Sequence, residues 1–114
     1  MVDVDYIPDK GHIIWITFNP QAGHEQMGRR PALVLSPSAY NERTNLAIIC
    51  PVTSSIKGYP FEVAIPDNLP IAGVILADQV KSLDWKIRKA EYCCDVKLDT
   101  IKEVLIKLQA LLFD

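Results

Sequence analysis

The chain has 114 residues, 49% of them hydrophobic, with three cysteines and a formal net charge of −2. That length suits one domain around one core, the apolar content excludes a disordered chain, and no apolar run reaches the roughly 20 residues that cross a bilayer. The acidic balance argues against a protein that simply coats phosphates, although residues 9–60 carry a local excess of two positive charges.

The opening stretch, MVDVDYIPDKG, carries Asp3, Asp5 and Asp9 and lacks an apolar h-region, so it does not read as a signal peptide. Cys50, Cys93 and Cys94 are an odd set without zinc-type spacing, and adjacent cysteines pair only with strain. They read as small hydrophobes in a reducing compartment. The expectation is one soluble, cytoplasmic domain over residues 1–114.

Residues 11–18, GHIIWITF, are β-branched and aromatic on both faces, which predicts a covered strand with His12 packed at its start or edge. A charged connector at 19–31 leads to a strand at 32–36, closed by Pro37. PSAYNERTN is polar turn chemistry with room for one helical turn. Residues 46–52, LAIICPV, predict a buried strand ending at Thr53, and further strands are predicted at 61–65, 73–78 and 85–92. Only the tail is helical: Leu98, Ile101, Leu105, Leu108 and Leu112 outline an apolar stripe, and Ile106 falls off it as a hint of a second contact surface. Thr100 with Glu103 makes a capping box, and Glu103 with Lys107 an i,i+4 pair. Short strands at turn-marked intervals plus one terminal helix predict a mainly β fold: a small, strongly bent barrel with the helix as its lid.

The connector is the chemical oddity. His24, Glu25, Arg29 and Arg30 crowd into seven residues where a plain link would use Gly, Asn or Ser. Glu25 beside Arg30 reads either as an ion pair, contributing about 0–1 kcal/mol when exposed, or as a base beside a phosphate clamp. A guanidinium fork matches phosphate oxygens and stays charged as negative charge grows on phosphorus. Thr53 at a strand end adds a hydroxyl donor and Lys57 on a Gly-flanked turn adds a cationic guide, though singly each is an ordinary turn or solvated residue. No metal-ligand set accompanies them. His24 borders the group as a helper, and a two-histidine mechanism with His12 is the lesser alternative. Trp15, Tyr40, Tyr59, Phe61 and Trp85 read first as core and rim. Single-stranded RNA stacks on such rings at about 1–3 kcal/mol per base, and Tyr59, on a turn, is the ring expected to be wet. LADQVKS at 76–82 is a polar turn whose Gln79 and Lys81 could also read base edges.

PDKGHIIWITFNPQAGHEQMGRRPALVLSP, CPVTSSIKGYPFEV and GVILADQVKSLDW, in order over nearly the whole chain, resemble the MazF/PemK toxins of bacterial toxin–antitoxin pairs, the MazF branch most closely. The resemblance implies a compact SH3-like barrel with a C-terminal helix, acting as a homodimer. It implies a sequence-specific endoribonuclease that cuts single-stranded messenger RNA without metal or other cofactor, leaves a 2′,3′-cyclic phosphate and a 5′-hydroxyl, and inhibits translation and growth. It also implies a MazE-like antitoxin across the groove, DNA contacted only through the antitoxin complex, and no membrane partner.

Carried over by position, the catalytic set is Glu25, Arg30 and Thr53. Glu25 would accept the 2′-hydroxyl proton, Arg30 would neutralise the phosphorane oxygens, and Thr53 would hydrogen-bond the phosphate. Arg30 should hold Glu25 below its reference pKa of about 4.3, so whether Glu25 or Arg30 handles the proton stays open. Substrate contacts are assigned to His24, Arg29, Ser54 and Lys57, and further along to Tyr59, Gln79 and Lys81. Arg29 stands where some relatives have histidine, and His24 where some have a small polar residue. The alternatives are a gyrase-binding toxin of the same fold that cleaves no RNA, and a plain binding module; neither needs the Glu25–Arg30–Thr53 set.

Overall fold

The apolar runs become strands and the leucine-rich tail a helix. The computed structural model describes residues 6–18 and 28–113. In chain order these form β1 (His12–Phe18), β2 (Gly28–Val34), α1 (Ser38–Thr44), β3 (Leu46–Thr53), β4 (Glu62–Ala64), β5 (Val74–Leu76), β6 (Lys81–Asp84), β7 (Glu91–Asp95) and α2 (Leu98–Phe113). A 3-10 turn at Ala77–Gln79 joins β5 to β6.

The strands run antiparallel in the order β4-β5-β3-β2-β1-β7, and β6 pairs with β3. The fold is mainly β with a C-terminal helix, as expected, but the sheet bends without closing into a barrel. β6 and β7 are joined by the turn at 85–90 yet pair with β3 and β1 respectively, not with each other. Side-chain alternation divides the apolar residues between two cores. Ile13, Leu33, Cys50 and Val52 point to one face, where Ile101, Val104 and Leu108 of α2 cover them. Ile14, Ile16, Ala32, Val34 and Ile49 point to the other, into which Trp85 packs. β1 is covered on both sides, which is why its sequence is apolar at nearly every position. Each fully buried aliphatic side chain contributes about 1.5–3 kcal/mol.

The structure corrects several local expectations. Leu98, Leu105 and Leu112 are 59, 43 and 72% exposed, whereas Ile101, Val104 and Leu108 are buried, so the working stripe is rotated from the one the leucines outline. The helix starts at Leu98, which places Thr100 inside it and buried, so no capping box forms. The Lys107 ammonium donates to the Pro60 carbonyl rather than to Glu103. Residues 85–90 are a turn, not a strand. Lys89 N–H bonds to Lys86 O (3.1 Å), Ala90 N–H bonds to Trp85 O (2.9 Å), and Lys89 adopts φ +56°. Local hydrogen bonding there outweighs the alternating pattern. PSAYNERTN supplies a full seven-residue helix, ended by Asn45 at φ +61°.

Candidate active site

A groove of about 310 Å³ opens where β3 ends, and Thr53, Lys57, Tyr59 and Gln79 all line it. Thr53 is the last residue of β3 and is buried. Its Oγ1 accepts the Ser55 N–H at 3.1 Å, which leaves the hydroxyl proton available for donation. Gly73 backs directly onto it. A Cβ at Gly73, whose φ is +126°, would lie 2.2 Å from the Thr53 carbonyl oxygen, so only glycine lets β5 pair with β3 at this point.

The opposite wall is fixed by Glu62. Its carboxylate accepts Lys57 N–H (3.2 Å) and Gly58 N–H (3.0 Å), holding the turn that carries Lys57. Tyr59 packs on Phe61 with ring centroids 5.3 Å apart and remains half exposed, the wet ring expected of a turn residue. Gln79 follows β5 on the 3-10 turn, and its Oε1 is buried with no hydrogen-bond partner among the described residues. A buried acceptor without a partner costs free energy, and Gln79 stands on the groove wall. Asp78 lines the same groove. Its carboxyl is raised above the ordinary range, first by partial burial and then by repulsion from Glu62. Sequence reading left Asp78 in a polar turn and Glu62 and Gly73 inside the strands predicted at 61–65 and 73–78; the glycine directly before VIL was the available signal.

Arg29 and Arg30 are not connector residues. Both lie inside β2, and strand alternation sends them to opposite faces. Arg30 pairs with Ile16 across β1. It stands two residues before Ala32, whose β3 partner is Pro51, and Thr53 stands two residues after Pro51. The β2–β3 ladder ends at the Ala32–Pro51 pair, so Arg30 and Thr53 each stand two residues beyond it, and the two residues line different grooves. A second groove of about 270 Å³ is lined by Trp15, Arg29, Arg30, Val52 and Ser54. Ser54 thus turns away from the groove that Thr53 lines. Lys81 opens β6, with its ammonium 5.8 Å from the Phe18 ring centroid at the end of β1. Arg29 is engaged elsewhere: its guanidinium donates to Thr17 Oγ1 (3.2 Å) and Lys89 O (2.7 Å) and pairs with Glu91.

His24 and Glu25 lie outside the described residues. His12, the partner considered for His24, is structural. Asp9 N–H donates to its Nδ1 (3.2 Å), the Tyr6 hydroxyl lies 3.0 Å from the same nitrogen, and Tyr92 packs edge-on against its ring. Among the described residues no cluster of three or more His, Cys, Asp or Glu side chains is arranged to hold a metal ion. No helix among them is long and apolar enough to cross a membrane.

Fold and groove together define a class: a small bent-sheet domain with a helix on one face and a polar, cation-edged groove at the end of its central strand. Residues 9–112 match the PemK-like, MazF-like toxin family of type II toxin–antitoxin systems, and the chain belongs to that family. It is 43% identical over 107 residues to the endoribonuclease toxin MazF of Escherichia coli K12, covering 94% of this chain and 96% of that protein. The crystal structure of MazF (Form-I) from Deinococcus radiodurans matches with a TM-score of 0.92 at 58% identity, covering 95% of this chain and 98% of that one. A MazE–MazF crystal structure (Form-II) from the same organism matches at 0.85 and 51% identity, covering 96% and 98%.

Proposed function

We propose that this protein is an endoribonuclease toxin that cleaves single-stranded messenger RNA at short sequences and thereby arrests translation and growth. RNA carries its own nucleophile in the 2′-hydroxyl, so scission to a 2′,3′-cyclic phosphate and a 5′-hydroxyl requires neither a bound water nor a metal. Arg30 neutralises the charge that grows on the phosphorane oxygens. Thr53, whose oxygen already accepts the Ser55 amide, donates a hydrogen bond to the same phosphate. Glu25 or Arg30 handles the 2′-hydroxyl proton. The observation that carries this reading is the convergence of Thr53, Lys57, Tyr59 and Gln79 on one groove beside the strand that bears Arg30. Lys57 attracts the backbone, Tyr59 offers a stacking face, and the Gln79 amide, whose oxygen has no partner among the described residues, takes a base donor. Ser54 and Lys81 extend the contact surface on either side, and His24 borders it.

The active form is a homodimer, neutralised by a MazE-like antitoxin; DNA is met only through that complex. Relatives support the partner, since MazE–MazF complexes are among the matching structures. The test is to incubate the purified protein with a mixed transcript pool in EDTA and sequence the cut ends. Clustered cuts at one short motif, with cyclic phosphate ends, are expected. Intact RNA at high protein concentration would overturn the nuclease reading, and a gyrase supercoiling assay would then examine the binding alternative.

A further inference from the structure

We propose that Arg29 is a positioning residue: it brings no charge to RNA but braces the start of β2, and with it Arg30, against the turn between β6 and β7. The proposal rests on the ribonuclease reading above. Among the described residues β3 pairs with β2 only from Ala32 onward, so the strand pairing of Gly28, Arg29, Arg30 and Pro31 seen there is with β1. A strand end held on one side is poorly fixed, yet Arg30 must present its fork accurately to a phosphate.

The Arg29 side chain adds an anchor to this strand end. Nη1 donates to Thr17 Oγ1 (3.2 Å) and Arg88 O (3.4 Å), while Nη2 donates to Lys89 O (2.7 Å) and to the Glu91 carboxylate. Thr17 is the register partner of Arg29 on β1. The turn returns the contact: Thr17 N–H bonds to Arg88 O (3.2 Å), and Arg88 Nη1 donates to Thr17 O (3.0 Å). Lys89 holds φ +56°, a conformation that L side chains rarely adopt, and its carbonyl is among those the guanidinium takes. Three segments, residues 17, 29 and 88–91, are thereby joined through one planar cation. Lysine cannot replace it, because a single ammonium cannot span those acceptors from one position. The charge is also matched locally by Glu91, which separates this role from that of a phosphate ligand.

The two roles differ in a measurable way. A residue that contacts a phosphate contributes to the salt dependence of binding; removing it flattens the log K against log salt slope by about 0.7 for a single strand. For Arg29→Ala we expect kcat on a mapped single-site RNA to fall roughly tenfold to a hundredfold. The salt slope, measured on the same RNA with a 2′-deoxy residue at the cut, should stay unchanged. Arg29→Lys should not rescue, and Glu91→Gln, a milder change suited to the case where Arg29→Ala unfolds, should lower kcat in the same direction. Amide hydrogen exchange at residues 28–30 and 87–90 should speed up in the variants relative to α2. A flattened slope with normal kcat, full rescue by lysine, or unchanged exchange would each overturn the brace. Absence of cleavage by the wild type would sink the nuclease reading instead, and the exchange experiment would still decide the brace.

Discussion

The junction around Arg29 and the groove around Gln79 belong to one small sheet but treat polar groups in opposite ways. At the junction each terminal guanidinium nitrogen has acceptors, and the turn carbonyls point inward to meet them. In the groove an amide oxygen is buried without a partner among the described residues, and a carboxyl is partly desolvated beside another of like charge. Saturated polar groups hold a shape, whereas unsaturated ones wait for a ligand. Substitutions in the first region should therefore act through lost order, even where kcat falls, and those in the second directly on the RNA.

The sharpest break of that contrast is at Arg30 and Thr53. Arg30→Ala should lower kcat for RNA cleavage by about 10²–10³. Thr53→Val should match that loss and also destabilise the fold by roughly 0.5–1.5 kcal/mol, because the exposed Ser55 loses the acceptor of its amide. Thr53→Ser keeps the acceptor and should retain most of both. Single-turnover cleavage with urea denaturation on the same samples separates the two effects. An Arg30→Ala protein that cuts at the wild-type rate would end the proposed mechanism.

Asn41 tests the saturated extreme. It is fully buried, accepts from Ser36 Oγ (2.6 Å), donates to Pro8 O (2.8 Å) and Ser36 O (3.0 Å), and its carbonyl receives Trp85 Nε1 (2.9 Å). Asn41→Ala would leave the Pro8 and Ser36 carbonyls unpaired and should cost roughly 2–4 kcal/mol in urea unfolding, with the cut-site motif unchanged. A changed motif would show that the two regions are not separable.

Much of this architecture was legible in the sequence, for identifiable reasons. β1 and β3 could be read because each is buried on both faces, so composition alone marked them. Thr53, Lys57, Tyr59 and Gln79 were legible because hydroxyl, cation, ring and amide sit at turn-marked strand ends. Asn41 was not, because a buried asparagine and a solvated one look alike until their partners across the chain are known. Nor was the direction of Arg29, which depends on a turn about sixty positions away. The helix misled through its own richness: leucines cover more of α2 than the sheet can bury. Val104→Ala should therefore destabilise by roughly 1–3 kcal/mol and Leu105→Ala by no more than about 0.5, read from the shift in the urea midpoint. The reverse order would restore the stripe that the leucines outline.

Asp78 offers the smallest effect and tests the unsaturated side directly. Its folded pKa is raised, so the folded state holds this proton more tightly than the unfolded chain does. Stability from this group is therefore fullest below the unfolded value of about 3.9, falls as pH rises through the window up to the raised folded value, and stays reduced above it. Asp78→Asn removes the ionisation but keeps the shape. The variant should melt slightly higher than the wild type at pH 7, and the difference should vanish near pH 3, where both side chains are neutral. Removing a negative charge from the groove should also tighten binding of an RNA that resists cleavage at neutral pH, since phosphates no longer meet that carboxylate. A stability gap of the same size at both pH values would mean that packing, not titration, separates the two proteins. In that case partial burial of Asp78 would be a feature of the turn rather than a mark of the groove.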